Sequence, residues 1–439
     1  MKKLNNLKSF ILLSGIISLV IFTGYNSGNE TGGNFSDVSS IKNCGSYEYN
    51  QNQLNRYPQY NSVREDIEKF TQNYTLEENR TVVTIPVVFH VVYNTTEQNI
   101  SDAQIMSQMD ILNKDFNRLN SDTGNTPGPF KPLAANVQVQ FCLAQRDPNN
   151  NATNGITRTM TSITSFTAED TSIYYTSLGG YDIWDRNKYL NIYVCNLAGT
   201  LLGYAQFPGM NPATDGTVIG YKYLGNTGTV QPPNDLGRTA THEVGHWLNL
   251  LHIWGDEPGC AQDDEVSDTP LQGTESGGCP TFPMTDACTP NAPGIMFMNY
   301  MDYSDDNCMN MFSLGQSTRM NAALSGPRAS LMSSNGCASV GINQIGTEIP
   351  EKFALSQNYP NPFNPSTNIR FEIPANVNGK VMLTVFDAAG KTVGLLVNNE
   401  LTPGIYEYTF SGSHLGSGVY FYSLQTDNFS ETKKMLLIK

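Results

Sequence analysis

The sequence has few charged side chains and few histidines for its length. Charged residues make up 15% of its 439 residues, and the net charge is −14. Because nucleic acids and anionic membranes attract basic proteins, this balance argues against both as partners. Histidine occurs only five times, so any cluster of histidines is informative. The length predicts two domains and processed segments, since single cores stop growing at about 250 to 300 residues.

Long apolar runs are also scarce. Lys2, Lys3 and Lys8 precede one at residues 10–22, which is too short to cross a bilayer comfortably. This arrangement is typical of a signal peptide, to which we assign residues 1–24, and an uncleaved anchor is the alternative. No cysteine follows the run closely, which argues against a lipid anchor. The mature form is therefore expected to have no stable membrane span.

Three of the five histidines fall in the stretch T-H-E-V-G-H-W-L-N-L-L-H-I-W. On a helix, His242 and His246 lie one turn apart and can bind one zinc ion, while Glu243 faces the open side of the metal and can activate water as general base. His252 reaches the same metal only if the chain turns sharply, and Asn249 tolerates the left-handed conformation that such a turn needs. A chance H-E-x-x-H on an ordinary helix is the alternative.

The eight cysteines form no C-x-x-C pair, which argues against a cytosolic metal cluster and, in an exported chain, predicts disulfides. Cys142 and Cys195 fall on predicted strands and could bridge each other. Four more follow the zinc motif in a segment rich in Gly, Pro and Asp, and their pairing is not fixed by the sequence: Cys260, Cys279, Cys288 and Cys308.

Residues 25–80 are polar and rich in Asn and Gln, and we interpret them as a propeptide. They contain Cys44, whose thiolate is a good fourth ligand for a catalytic zinc. The precursor would then stay latent until it is cleaved between Arg56 and Arg80. The alternative is that Cys44 forms an ordinary disulfide with Cys337 or with another cysteine.

Residues 81–337 carry the pattern of a catalytic domain. A run of β-branched residues at 81–93 predicts a buried strand in which His90 is a packed side chain, and Ser101 with Gln104 predicts a capping box at the start of a helix. The order of strand, helix, strands and active-site helix predicts an α/β (α+β) domain with a twisted mixed sheet. Further strands are predicted at residues 137–143, 190–194, 201–207 and 217–223.

Two further motifs follow the zinc helix. Carboxylates and hydroxyls cluster at residues 263–269, and such hard oxygen ligands suit calcium, although a solvated acidic loop is the alternative. In the later stretch N-Y-M-D-Y, Met301 can form an apolar floor beneath the histidines, and the hydroxyl of Tyr303 can steady an oxyanion.

The zinc motif resembles the metzincin signature H-E-x-x-H-x-x-G-x-x-H with a following Met-turn, and Asn249 stands in place of the glycine. The D-T-P loop, the four cysteines, M-N-Y-M-D-Y and G-Q-S-T-R-M follow in order. Together they make residues 81–337 similar to the cytophagalysin and ulilysin-like branch of the pappalysin family. The resemblance implies a zinc metalloendopeptidase that hydrolyses proteins or peptides, with Glu243 and Tyr303 as catalytic residues.

The same resemblance implies finer details. It pairs Cys260 with Cys288 and Cys279 with Cys308, and it makes residues 203–207 the antiparallel edge strand that binds extended substrate. An acidic residue near Cys308 would favour Arg or Lys after the scissile bond; Asn307 precedes that cysteine and two aspartates lie just before it, so this preference stays open. The implied calcium ligands are Asp264, Ser267, Thr269 and the carbonyl of Val266.

The composition changes again at residues 338–352, which we interpret as a linker. Residues 353–439 predict short alternating strands and hence an all-β, immunoglobulin-like sandwich. This part is similar to the type A C-terminal sorting domain of the type IX secretion system, which implies export through the periplasm of a Gram-negative-type bacterium to the medium or cell surface. A surface-binding sandwich is the alternative, and for the whole chain the alternative is a non-enzymatic adhesin with a degenerate protease domain.

Overall fold

The computed structural model describes residues 44–77, 81–338, 340–346, 348–375, 380–413 and 415–439. The predicted signal peptide and His414 lie outside the described residues, as do residues 25–43 and 78–80 of the predicted propeptide. The helices are α1 (Ser46–Arg56), α2 (Gln59–Gln72), α3 (Asp102–Phe116), α4 (Arg238–Trp247) and α5 (Leu314–Ser325).

A mixed six-stranded sheet lies at the centre of residues 81–337, the predicted catalytic domain. Its strands are β1 (Val83–Tyr93), β2 (Val139–Leu143), β3 (Ile156–Met160), β4 (Leu190–Cys195), β5 (Gly203–Ala205) and β6 (Thr217–Gly220). The order is β2-β1-β4-β6-β5, with β3 also paired to β1, and every pairing is parallel except that of β5 with β6. The predicted antiparallel edge strand is thus β5.

Both faces of β1 are buried, as a run of β-branched residues predicts. On one face, alternate β1 residues pack with the apolar sides of α3 and α4, which include Met109 and Val244. The Ser101 side chain caps α3 by accepting from the Gln104 N–H at 3.2 Å. The Gln104 side chain does not return to Ser101 as a capping box requires; it is buried and donates to the carbonyls of Tyr221 and Leu224.

The disulfides correct one prediction and leave two cysteines free. Cys142 on β2 pairs with Cys337 rather than with Cys195, which is buried on β4 as a free thiol. The two strands are separated by β1, so their cysteines cannot meet. Cys44 is also free. The pairs Cys260–Cys288 and Cys279–Cys308 form as the family resemblance implied.

The C-terminal part is all β. Its strands are β7 (Ile342–Gly346), β8 (Ala354–Leu355), β9 (Ser366–Ile373), β10 (Val381–Phe386), β11 (Thr392–Asn399), β12 (Gly404–Ser411), β13 (Gly418–Thr426) and β14 (Phe429–Leu437). They form two antiparallel four-stranded sheets, β11-β10-β13-β14 and β7-β12-β9-β8, which share one hydrophobic core. Because β7 pairs with β12, the predicted linker at 338–352 contributes an edge strand to the second sheet and is not merely a connection. No helix in the described residues is long and apolar enough to cross a membrane.

Candidate metal centre and active site

Helix α4 carries His242, Glu243 and His246, and all of its residues are buried. Polar contacts to α3 fix its first turn. Arg238 donates to the carboxylate of Asp115, and Thr241 Oγ1 donates to the same carboxylate at 2.7 Å. The helix therefore cannot rotate about its axis without breaking a buried ion pair, and the direction of the two histidines is set.

The chain reverses after α4 at Asn249, as predicted. Its φ is +78°, in the left-handed region, and the Leu250 N–H donates to the Gly245 carbonyl at 3.0 Å. This is the hydrogen bond of a Schellman ending, which normally uses glycine. The turn returns the chain so that His252 faces the other two histidines.

The three imidazoles converge on one point. The Nε2 atoms of His242, His246 and His252 lie 3.0–3.1 Å from one another. Their Nδ1 atoms face outward to acceptors. His242 Nδ1 lies 2.6 Å from the Tyr300 carbonyl, His246 Nδ1 lies 2.8 Å from the Leu250 carbonyl, and His252 Nδ1 contacts a carboxylate of the following loop.

This arrangement fits a metal cation. A backbone carbonyl and an ionised carboxylate only accept, so each Nδ1 must carry the proton and each Nε2 presents a lone pair. Three lone pairs aimed at one point repel unless a cation lies between them. Burial, and then the nearby His252, lower the pKa of His242 to about 3, which keeps its imidazole neutral as a ligand must be. Imidazole nitrogens in a set of three with an open position are typical of catalytic zinc.

Of the predicted Met-turn residues, Met301 packs against helix α4 and Tyr303 lies beside two of the histidines. Met301 is fully buried, and its sulfur contacts the helix at Gly245, where an added Cβ would lie 2.5 Å from Sδ. A Cβ at this position would force the methionine to shift away from the helix. The ring of Tyr303 lies 5.0 Å from that of His252.

Glu243 lies beside the triad and is 1% exposed. Burial raises its pKa to about 7, against hydrogen bonds from Ser46 and Cys44 that lower it. A carboxylate with a pKa near neutrality can both take and return a proton.

Known proteins resemble this chain in two parts. Residues 178–325 match the peptidase M43 family, described as pregnancy-associated plasma protein-A, and residues 357–439 match a secretion system C-terminal sorting domain. An extracellular metalloprotease of Pyricularia oryzae is 32% identical over 58% of this chain and 80% of its own length. A similar enzyme of Arthroderma otae is 33% identical over 56% of this chain and 80% of its own.

Two solved structures from Tannerella forsythia are also similar. A mutant of promirolysin is 50% identical over 66% of this chain and 97% of its own, with a TM-score of 0.62. Mature mirolysin in complex with a cleaved peptide is 54% identical over 58% of this chain and 97% of its own, with a TM-score of 0.57.

The chain belongs to the peptidase M43 (pappalysin) family. It is a secreted or cell-surface metalloendopeptidase with a type IX sorting domain. Zinc is the metal expected in this family, and the histidine triad suits it.

In this M43 peptidase, a segment from the predicted propeptide lies along the edge strand β5 and beside Glu243. The Gly45 N–H donates to the Gly203 carbonyl of β5 at 3.0 Å, and the Ala205 N–H donates to Ser46 Oγ at 2.8 Å. Ser46 Oγ in turn donates to Glu243 Oε2 at 2.7 Å. The edge strand and the glutamate are thus both occupied by the N-terminal segment.

Cys44 lies at the histidine triad. Its sulfur and the three histidine ligand atoms are all within 4.8 Å of one another, the only such group of three or more His, Cys, Asp or Glu among the described residues. Burial, and then the charge of Glu243, raise the pKa of the thiol well above its usual value. A cation at the triad would act in the opposite direction, because it favours the thiolate.

Helix α2 of the same N-terminal segment is linked to the turn between His246 and His252 through a shared arginine. Glu68 forms a two-pronged ion pair with Arg319 of α5, with both distances 2.6 Å. Arg319 Nε also donates to the Asn249 carbonyl at 2.8 Å. One buried arginine therefore joins the N-terminal segment to the turn between the second and third histidines.

A cavity borders Cys44 and one histidine of the triad. Its lining includes His242, Glu243, Asp302 and Asp306. Asp306 is 2% exposed and accepts from the backbone N–H groups of Leu236 and Arg238. Its burial raises its pKa to about 6. The one arginine in the lining, Arg238, is already paired with two carboxylates, so the cavity is net acidic.

The acidic loop brings some of its predicted calcium ligands together. Thr269 Oγ1 lies 2.6 Å from Asp264 Oδ1 and 2.7 Å from the Val266 carbonyl. Asp264 is buried, and its Oδ2 has no protein partner. Ser267 is exposed, and among the described residues its side chain makes no hydrogen bond to the other three.

Sequence reasoning missed three residues of this site. Ser46 carries only the weak signal of following Cys44 by two positions. Arg319 lies within G-Q-S-T-R-M, whose helix was not predicted. Asp256 follows His252 by four residues in H-I-W-G-D, and the glycine before it is the signal of a second sharp turn.

Proposed function

We propose that this M43 peptidase cleaves peptide bonds with Glu243 as general base and is made as a latent precursor. The observation that carries the proposal is the convergence of three Nε2 atoms beside a buried carboxylate. Zinc held by His242, His246 and His252 would supply Lewis acidity and lower the pKa of a water bound to it.

Three residues of the chain then have separate roles in catalysis. Glu243 accepts a proton from the attacking water and passes it to the leaving amine, for which a pKa of about 7 is suitable. Tyr303 donates to the substrate oxyanion. Its hydroxyl lies 3.4 Å from the Cys44 carbonyl, so a peptide carbonyl in this position is within its reach. Met301 supports the helix from below.

Latency would come from the N-terminal segment. Cys44, as a thiolate, would take the open position at the metal and exclude the water. Ser46 would hold the general base, and the backbone of the segment would cover β5, where substrate pairs. Cleavage between Arg56 and Arg80 would release all three contacts.

The acidic cavity supports a preference for Arg or Lys directly after the scissile bond. Asp306 is buried at the lining, and a cationic side chain would relieve the desolvation of its carboxylate. The loop around Asp264 would bind calcium through its orphaned Oδ2, Thr269 and the Val266 carbonyl. Ser267 would require a change of the loop to join them.

The two C-terminal sheets would form an immunoglobulin-like sandwich recognised by the type IX machinery. We propose that it carries the folded enzyme from the periplasm across the outer membrane.

A chelator tests the function against the non-enzymatic alternative. The processed protein should degrade casein, lose this activity when the chelator is added, and regain it with zinc. An inactive protein that nevertheless holds zinc in full would favour an adhesin with a degenerate protease domain.

A further inference from the structure

The third histidine differs from the other two in what it binds on its outer side. His242 and His246 face backbone carbonyls through Nδ1. His252 faces the carboxylate of Asp256, which lies four residues later and whose side chain is 7% exposed. A neutral dipole therefore supports two members of the triad, and a nearly buried negative charge supports the third.

The backbone is bent to bring this carboxylate back. Gly255 has φ +75° and Asp256 has φ +69°, so two successive residues adopt the left-handed conformation. The Gly255 N–H donates to the His252 carbonyl at 2.9 Å, which closes the turn. A Cβ on Gly255 would lie 2.7 Å from the backbone oxygen of Asp263. A left-handed non-glycine residue persists only where its surroundings hold it, and such residues cluster at functional sites.

The ring of His252 is held on its other sides as well. Trp254 stacks on it with ring centroids 4.5 Å apart, and the Tyr303 ring lies edge-on at 5.0 Å. The aromatic contacts restrict the ring plane, but they do not choose which nitrogen carries the proton. Only Asp256 does that, because a carboxylate accepts the Nδ1 proton and leaves the Nε2 lone pair free.

We propose that Asp256 is a positioning residue that strengthens metal binding through His252. The charge of Asp256 makes His252 Nε2 a stronger electron-pair donor to a metal. It also places a negative charge near the metal without occupying a coordination position. The open position stays available for water. The inference rests on the proposed metal centre, and partners of this kind change metal affinity by about 10- to 100-fold.

Metal affinity of the full chain tests this directly. Zinc would be titrated against a chromophoric chelator for the parent, Asp256→Ala and Asp256→Asn. We expect about 10- to 100-fold weaker binding for the alanine variant. The asparagine variant should fall between it and the parent, because it keeps an acceptor but loses the charge. The unfolding temperature without metal would verify that each variant is folded.

Glu257→Gln is the matched control, because Glu257 is the neighbouring exposed carboxylate of the same loop and its side chain accepts from the Tyr47 hydroxyl at 2.9 Å. It should bind zinc as the parent does. Equal zinc affinity of the parent and both Asp256 variants would overturn the inference, and the contact between Asp256 and His252 would then only shape the loop. A parent that binds no zinc would instead overturn the proposed function.

Discussion

The contact between Ser46 and Glu243 predicts that latency has a second component besides Cys44. In Ser46→Ala the carboxylate loses a buried donor at 2.7 Å, and the Ala205 N–H loses its acceptor at 2.8 Å. A hydrogen bond to a charged group contributes about 1.5–3 kcal/mol. Since 1.4 kcal/mol is tenfold in an equilibrium constant, the open state of the precursor should be populated about 10- to 100-fold more often.

The rate of self-processing of purified precursor measures this population, because only the open state can cleave. Ser46→Ala should mature about 10- to 100-fold faster than the parent. Ser62→Ala is the control, since its exposed hydroxyl donates to the Gln59 carbonyl within the same segment. Cys44→Ser should also mature early, and the double variant earlier than either single one. A Ser46→Ala precursor as stable as Ser62→Ala would refute the reasoning.

Three further predictions concern other parts of the molecule. Burial lowers the pKa of His90 to about 4. Neutral, buried His90 therefore makes its full contribution to the free energy of unfolding above the usual histidine pKa of 6.5. About 3 kcal/mol of this contribution is lost as the pH falls towards 4. Urea unfolding of His90→Gln should show a flatter pH dependence than the parent; parallel curves would contradict this. Asp306→Asn should lower the ratio of kcat/KM for substrates with Arg after the scissile bond to kcat/KM for those with Leu there, by about tenfold or more. An unchanged peptide-library profile would exclude Asp306 as the determinant. Calcium at fixed zinc should raise Tm, and Asp264→Asn should abolish the rise; no shift in the parent would argue against a calcium site.

The convergence of the three histidines could be predicted from the sequence because the geometric rules that place them are local. The spacing of His242 and His246 follows from helix geometry, and the need for a left-handed residue identified Asn249. Strand β1 followed from its β-branched run for the same reason. Each of these signals lies within about ten residues of the feature that it predicts.

The features that were missed depend on contacts between distant segments. Ser46 meets Glu243 across 197 residues, and Arg319 meets Glu68 across 251. The pairing of Cys142 with Cys337 rather than Cys195 depends on strand order, which the alternation of side chains does not encode. Strand β7 was not predicted because its sequence I-N-Q-I-G lacks an alternating apolar pattern, which agrees with its largely exposed residues in the structure.

The most direct test of the central claim is peptide cleavage by Glu243→Ala. Because this variant cannot mature itself, its precursor would be processed with an added protease and its zinc content measured. We predict full zinc content, an unchanged fold and a loss of kcat/KM of about 100- to 10,000-fold, the range of general base catalysis. A zinc-loaded Glu243→Ala enzyme that cleaves at the rate of the parent would contradict the account.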